Sequence, residues 1–324
     1  MGGGDCQTPS LLDSLEFNVA PQTPQALRAA AMRGLPAARA EFVRSVSINV
    51  DDFRVGARFM EGLLNRARRS KSPGGLWILG HGGQGKSFLL DAFSRRHPPV
   101  DTTKWRQCEV MLIPLRSRPS KSDILLTIML ILGINPGMLK YQNNSDLEKI
   151  VVDAMSHCGV RVILFDESQH LWLSTTGKIN RSADRLGGEV GDFLKELYDK
   201  TGIAFVFAGT PGLEVVVNSD SQANTRWAGV LHLKPFENDA KFSALLEALD
   251  DSLPMEERSN LAEPELLSMI HQATQGNFRR LKNLLAEAVF LAASAEERRV
   301  RKQHLADAFF EISCAEATPF GHAS

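Results

Sequence analysis

Residues 74–93 read GGLWILGHGGQGKSFLLDAF. The apolar run Leu76–Leu79 ends in a cluster of glycines, meets a lysine and a serine, and leaves as a helical pattern. Gly80–Ser87 fits G-x-x-x-x-G-K-[ST], a spacing with a physical reason behind it. Glycines let the backbone wrap closely around phosphates with its N–H groups turned inward. Lys86 has the reach for the β- and γ-phosphates, and Ser87 has the hydroxyl for Mg2+. The helix that follows aims its positive end at the anion. Gly80, Gly82, Gly83, Gln84, Gly85, Lys86, Ser87 and Phe88 are therefore the residues expected to bind ATP.

Outward from this knot, strand and helix alternate. GLWILG (75–80), CEVMLIPL (108–115), VRVILFDE (160–167) and IAFVFAGT (203–210) read as strands, the last two almost continuously apolar, as strands buried on both faces are. Helical patterns lie between them at 86–96, at 120–134 with Ser120 or Ser122 as the cap, at 146–159 ending on Gly159, and at 190–202. Asp51–Ser72 reads as an amphipathic helix with Phe53, Phe59, Leu63 and Leu64 on one face and basic residues at its C-terminal end. Pro24–Val43 also reads as helical, and residues 1 to about 20 as poorly ordered. After about Leu233 four helical patterns follow with no convincing strand between them. The expected fold is α/β: a P-loop NTPase with a parallel sheet covered by helices on both faces, then a small all-helical lid domain. The expected boundaries are an N-terminal extension at 1–45, the ATPase core at 46–234, the lid at 235–312 and a tail at 313–324.

Asp166 and Glu167 end the strand VRVILFDE, at the rim where ligands bind in parallel sheets. Asp166 is placed to hold Mg2+ directly or through water, and Glu167 to polarise the attacking water. An acid beside the magnesium ligand favours hydrolysis over transfer to a small acceptor. Thr210, at the end of IAFVFAGT, offers a hydroxyl to the water or the γ-phosphate, and also suits the cap of a turn beginning at Pro211. Arg226 is a candidate arginine finger for a neighbouring subunit. Arg279 is a candidate nucleotide contact from the lid, with Arg280 competing. His170 and the other histidines have no metal spacing.

The bulk properties set limits. A net charge of −1 excludes a surface that coats nucleic acid everywhere, so any DNA contact is local. Four scattered cysteines, Cys6, Cys108, Cys158 and Cys314, contain no C-x-x-C pair and suit a reducing cytoplasm. The longest apolar run, Leu125–Ile134, is too short to cross a bilayer, and no basic-then-apolar leader pattern begins the chain.

The order Gly-Lys-Ser, Asp-Glu, Thr210, Arg226 and Gly-Asn-Phe-Arg resembles the AAA+ ATPases over about Asp51–Phe310. More narrowly, RVILFDESQHL and VFAGTPGLEVVVNSDSQANTRW resemble the TniB/TnsC transposition ATPases, relatives of MuB and IstB. The knot departs from many relatives in reading GHGGQGKS, with serine where threonine is common, but the hydroxyl is kept. The resemblance implies ATP and Mg2+ as cofactors and side-by-side assembly, as a ring or helical homo-oligomer, on duplex DNA. It also implies recruitment or activation of a DDE transposase, a TniQ-type targeting partner, and disassembly on hydrolysis; the short apolar runs predict no membrane partner.

Two basic loops are candidates for DNA contact: 114–123, with Arg116, Arg118 and Lys121, and 174–185, with Lys178, Arg181 and Arg185. Cations and hydroxyls suffice for phosphate contacts and carry no sequence preference. Neither loop carries an aromatic stacking pattern, so single-strand recognition is less supported. The alternatives are a helicase loader or replication initiator, or a nucleotide-switched signalling scaffold without DNA.

Overall fold

A computed structural model describes residues 24–46, 50–138, 143–172, 188–219, 221–315 and 318–321. Packing gathers the chain into two units that interleave along it, where the sequence pattern suggests consecutive domains. The larger comprises Ser47–Leu245 and Leu267–Leu281, the smaller Met1–Val46, Leu246–Leu266 and Lys282–Ser324.

The larger unit is built on a five-stranded parallel sheet. Its strands are β1 (Gly75–Leu79), β4 (Val110–Pro114), β5 (Val162–Asp166), β6 (Ala204–Gly209) and β7 (Gly229–His232), in the order β4-β5-β6-β1-β7. Two short strands, β2 (Val100–Asp101) and β3 (Arg106–Gln107), form a separate antiparallel hairpin that the sequence pattern does not announce. The fifth strand of the main sheet, β7, is also absent from the sequence-based expectation. It lies at an edge and alternates half-buried with exposed positions, so it lacks the apolar run that marks its neighbours. β1 and β6 are buried along their whole length. Trp77 stacks on Phe207 at 4.6 Å and Phe165 on Phe207 at 5.3 Å, which locks β1, β6 and β5 through their side chains.

Register brings the strand ends of the candidate site together. Leu79 pairs with Gly209 and with His232, and Pro114 pairs with Asp166, so these strand ends lie along one edge of the sheet. The glycine loop, Asp166 and Thr210 all leave from it.

The helix Asp51–Ala67 packs its buried face, Phe53, Gly56, Met60, Leu63, Leu64 and Ala67, inward. Phe59, expected on that face, is 38% exposed; Met60, one position on, takes the place. The pattern 53, 56, 60, 63, 64, 67 follows the helical period, whereas 59 lies off it. The helix Lys121–Ile131 starts on Ser120, whose Oγ accepts the Asp123 N–H in a capping box, so Ser120 rather than Ser122 is the cap.

In the smaller unit, Pro24–Val43 is two helices, Pro24–Met32 and Pro36–Ser45, rather than one. Gly34 loosens the chain and Pro36 forces Leu35 into an extended conformation, which ends the first helix and opens the second. These helices are tied to the C-terminal part of the chain. Arg28 donates Nε to Leu253 O at 2.7 Å and Nη2 to Met255 O at 2.8 Å. The Lys282 ammonium donates to the carbonyls of Arg44 and Val46, the latter at 2.6 Å, where the C-terminal end of a helix favours a cation.

The four helices expected after Leu233 are present as Ala240–Ser252, Pro264–Thr274, Phe278–Ser294 and Lys302–Ser313. Among the described residues no helix is long and apolar enough to cross a membrane.

Candidate nucleotide site

The loop 80–85 leaves β1 and ends on Gly85, which caps the helix Lys86–Arg96 in the left-handed region at φ 89°. Gly83 is also left-handed at φ 82°, a pair of conformations that favours glycine. Three of the loop's four glycines are also sterically required, whereas a Cβ on Gly82 would meet open space. A Cβ on Gly80 would stand 2.7 Å from Leu233 O, one on Gly83 would stand 2.5 Å from Asn277 Oδ1, and one on Gly85 would collide with the ring of Phe53.

Lys86 is the first residue of that helix, and its ammonium is buried. It donates to Gly80 O at 2.6 Å and His81 O at 2.9 Å. Burial lowers its pKa from the ordinary lysine range; the carboxylates of Glu167 and Asp166 oppose that shift, and the charge of Arg279 adds to it. The expected lysine, both acids and Arg279 therefore share one electrostatic neighbourhood. Ser87 is exposed and Phe88 half-buried. Phe88 packs with Phe53 at 5.7 Å and with Phe278 at 6.2 Å. Gln84 is buried, and its Oε1 has no hydrogen-bond partner among the described residues.

Asp166 closes β5 and accepts the Glu167 N–H at 2.9 Å. Glu167 turns into the left-handed region at φ 57°, which costs free energy for a residue with a side chain. Ser168, fully buried, holds this turn: its N–H donates to Ala208 O at 2.8 Å and its Oγ to Phe165 O at 3.0 Å. Thr210 follows β6 and opens the 3-10 turn Pro211–Leu213, but its hydroxyl makes no cap bond to that turn. Ser87 and Asp166 offer hard oxygen donors, the set that suits Mg2+ when water and phosphate complete the shell. Among the described residues no cluster of three or more His, Cys, Asp or Glu could hold a metal by itself.

Three contributors are not legible in the sequence. Asn277 donates Nδ2 to Gly82 O at 2.8 Å. Phe53 presses its ring on the loop. Gln169 bridges Glu167, through its Nε2, to the Thr210 N–H, through its Oε1 at 3.3 Å. Arg279 donates its backbone N–H to Gly83 O at 2.9 Å, whereas the Arg280 guanidinium turns to Gln275 Oε1 at 2.9 Å.

Arg226 lies at the other end of the sheet. It precedes β7 by three residues, beside Trp227, whose carbonyl accepts Trp77 Nε1 at 2.8 Å. A Cβ on Gly75, the first residue of β1, would meet Trp227 Cδ1 at 2.6 Å. The glycine loop leaves the opposite end of that strand, about 15 Å away at ~3.3 Å per residue. The Arg226 guanidinium is engaged with Asp199.

Of the expected DNA contacts, Arg116 and Arg118 are exposed in the turn after β4, with Arg118 left-handed at φ 53°. Lys121 is engaged elsewhere: its ammonium meets Glu148 at 2.6 Å and lies 5.0 Å over the Phe193 ring. Lys178, Arg181 and Arg185 lie outside the described residues.

A glycine loop at the head of a helix, an Asp-Glu rim two strands away, and a threonine on the strand between them define the class: a P-loop ATPase of the AAA+ type. The chain belongs to the TniB family; the family described as "Bacterial TniB protein" matches residues 46–238. No curated protein matches the sequence. Among solved structures, the chain is similar to Cdc6p from Pyrobaculum aerophilum, with a TM-score of 0.60 and 15% identity over 81% of this chain and 68% of that one. It is similar to the Aeropyrum pernix ORC1 protein in complex with DNA, at 0.58 and 16% over 82% and 66%. It is also similar to the Aeropyrum pernix ORC2 protein with ADPNP and ADP, at 0.58 and 18% over 82% and 68%. The chain thus spans about two thirds of the length of these structures, which share its fold.

Proposed function

We propose that this protein binds and hydrolyses ATP to control its assembly on duplex DNA, and that the assembly recruits or activates a DDE transposase. A TniQ-type targeting protein is a further partner on this reading. The observation that carries it is the separation of Arg226 from the glycine loop across the length of β1. That separation keeps Arg226 from its own subunit's loop and supports the reading that it serves a neighbour's nucleotide, with a shared site and assembly-dependent hydrolysis. TniB membership and the likeness to an ORC1 protein solved with DNA support the DNA role.

In this reading Lys86 and the loop N–H groups hold the phosphates, and Ser87 and Asp166 would hold Mg2+, which when bound would neutralise phosphate charge. Glu167 takes the proton of the attacking water, Thr210 orients that water or the γ-phosphate, and Arg279 senses the nucleotide. Arg116 and Arg118 contact DNA phosphates.

Imaging of the purified protein with ATP and duplex DNA tests the reading. Rings or filaments on DNA are the expected result; a monomer indifferent to DNA would favour the signalling scaffold. The resemblance to ORC and Cdc6 structures keeps a replication initiator as the second reading. Stimulation of a helicase rather than of a transposase would select it.

A further inference from the structure

We propose that Gln169 is a positioning residue that ties the carboxylate of Glu167 to the end of β6 and so sets the base for water attack. The proposal rests on the assignment of Glu167 as that base.

The amide is oriented by its partners. The Thr210 N–H can only donate, so it faces Gln169 Oε1, at 3.3 Å. That leaves Nε2 as the donor to Glu167 Oε2. One side chain thereby connects the turn after β5 with the residue that follows β6. The connection is built in. A Cβ on Gly209 would stand 2.7 Å from Gln169 Oε1 and 3.2 Å from its backbone nitrogen, so the glycine before Thr210 makes the room. The Ser168 N–H fastens the same turn to Ala208 O at 2.8 Å.

The consequence is mechanical. Glu167 is exposed, so packing does little to hold its carboxylate although the turn beneath it is fixed. Its hold on a defined direction comes from Gln169, and Gln169 in turn follows the backbone at Thr210. A shift of the β6 end, such as contact of Thr210 with a γ-phosphate would produce, therefore reorients Glu167. Nucleotide occupancy and base position are coupled through one amide.

The test compares Gln169→Ala and Gln169→Glu with the parent protein. Gln169→Glu keeps an oxygen for the Thr210 N–H but sets a carboxylate against Glu167, so it preserves the bond to Thr210 and removes the one to Glu167. Both variants are expected to retain nucleotide affinity and thermal midpoint. Both should lower kcat by about 10- to 100-fold with KM for ATP unchanged. In a Glu167→Gln background, Gln169→Ala should add no further loss to the residual rate, because the two residues act as one unit. Parent-like kcat in Gln169→Ala would overturn the proposal, as would an equal fold-loss in both backgrounds or a loss matched by weaker ATP binding. If Glu167→Gln itself hydrolyses ATP at the parent rate, it is the assignment of the base that fails.

Discussion

Arg226 donates Nε to Asp199 Oδ1 at 3.0 Å and Nη2 to Asp199 Oδ2 at 2.6 Å, a bidentate pair on the same subunit. The arginine holds the Asp199 carboxyl below the usual aspartate pKa. A residue held in this way must leave its partner before it can enter a neighbour's nucleotide site. Arg226→Ala is expected to bind ATP normally and to lose assembly-stimulated hydrolysis, by about 10³-fold if it acts as arginine fingers do. Mixing Arg226→Ala with Lys86→Ala should restore part of the rate, since each supplies what the other lacks across a shared site. Asp199→Asn should lower the protein concentration at which stimulation begins. A steady-state phosphate-release assay over a concentration series reads all three.

Lys86 separates binding from hydrolysis. Its ammonium is buried against Gly80 O and His81 O, a pair of carbonyls that phosphate oxygens would replace as partners. Lys86→Ala should weaken ATP binding by roughly 10- to 100-fold, as expected for removal of one charge-assisted hydrogen bond. Glu167→Gln should bind ATP as the parent does and hydrolyse it about 10²- to 10⁴-fold more slowly. It should therefore hold a DNA-bound oligomer together in ATP. Titration with a fluorescent nucleotide and sizing on DNA distinguish the two phenotypes; a Glu167→Gln protein that leaves DNA as fast as the parent contradicts the model.

The legible and illegible parts of this chain divide on physical lines. β1, β5 and β6 announce themselves because strands buried on both faces are apolar throughout, and the glycine loop because phosphate binding constrains spacing locally. β7 carries four residues and an exposed face, so its pattern resembles a loop. The break at Gly34–Pro36 is masked by the alanines around it, whose helix propensity is high. Asn277 reaches Gly82 from 195 residues away, and no local pattern encodes such a contact. Gln169 sits two residues after Glu167 but acquires meaning only when Thr210 arrives on the adjacent strand. Lys121 resembles a phosphate-binding cation by charge alone, and its pairing with Glu148 depends on packing between two helices.

That pairing yields a contrast between cations of the same loop. Arg116 and Arg118 are exposed, while Lys121 is engaged with Glu148 and the Phe193 ring. Replacing both arginines by alanine should weaken binding to duplexes of any sequence. It should also reduce the slope of log K against log salt by about 2, near 0.9 for each phosphate that is no longer neutralised. Lys121→Ala should leave that slope alone and lower stability by about 1–2 kcal/mol instead. Binding measured at several salt concentrations, with thermal melts alongside, separates a phosphate contact from a structural ion pair.

The buried ammonium of Lys282 makes the stability of the smaller unit depend on pH in an unusual direction. Burial pushes its pKa down from 10.5 to about 8. Between those values the folded chain has released a proton that the unfolded chain still holds. Unfolding then takes up a proton, so stability rises as pH rises from 8 toward 10.5, and below 8 the two states bind the proton equally and the contribution is flat. The neutral amine still has two N–H groups for the carbonyls of Arg44 and Val46, so docking of the N-terminal helices survives deprotonation. Cys108 works the other way: burial raises its thiol from 9.0 to about 11, which erodes stability above pH 9. The parent must therefore be compared with Lys282→Met, in which the cysteine contribution cancels. The difference in melting temperature, parent minus variant, should be constant from about pH 6 to 7.5 and grow more positive from about pH 8 to 10. A difference that shrinks over that range would mean that the ammonium form, rather than the amine, is what the Arg44 and Val46 carbonyls stabilise.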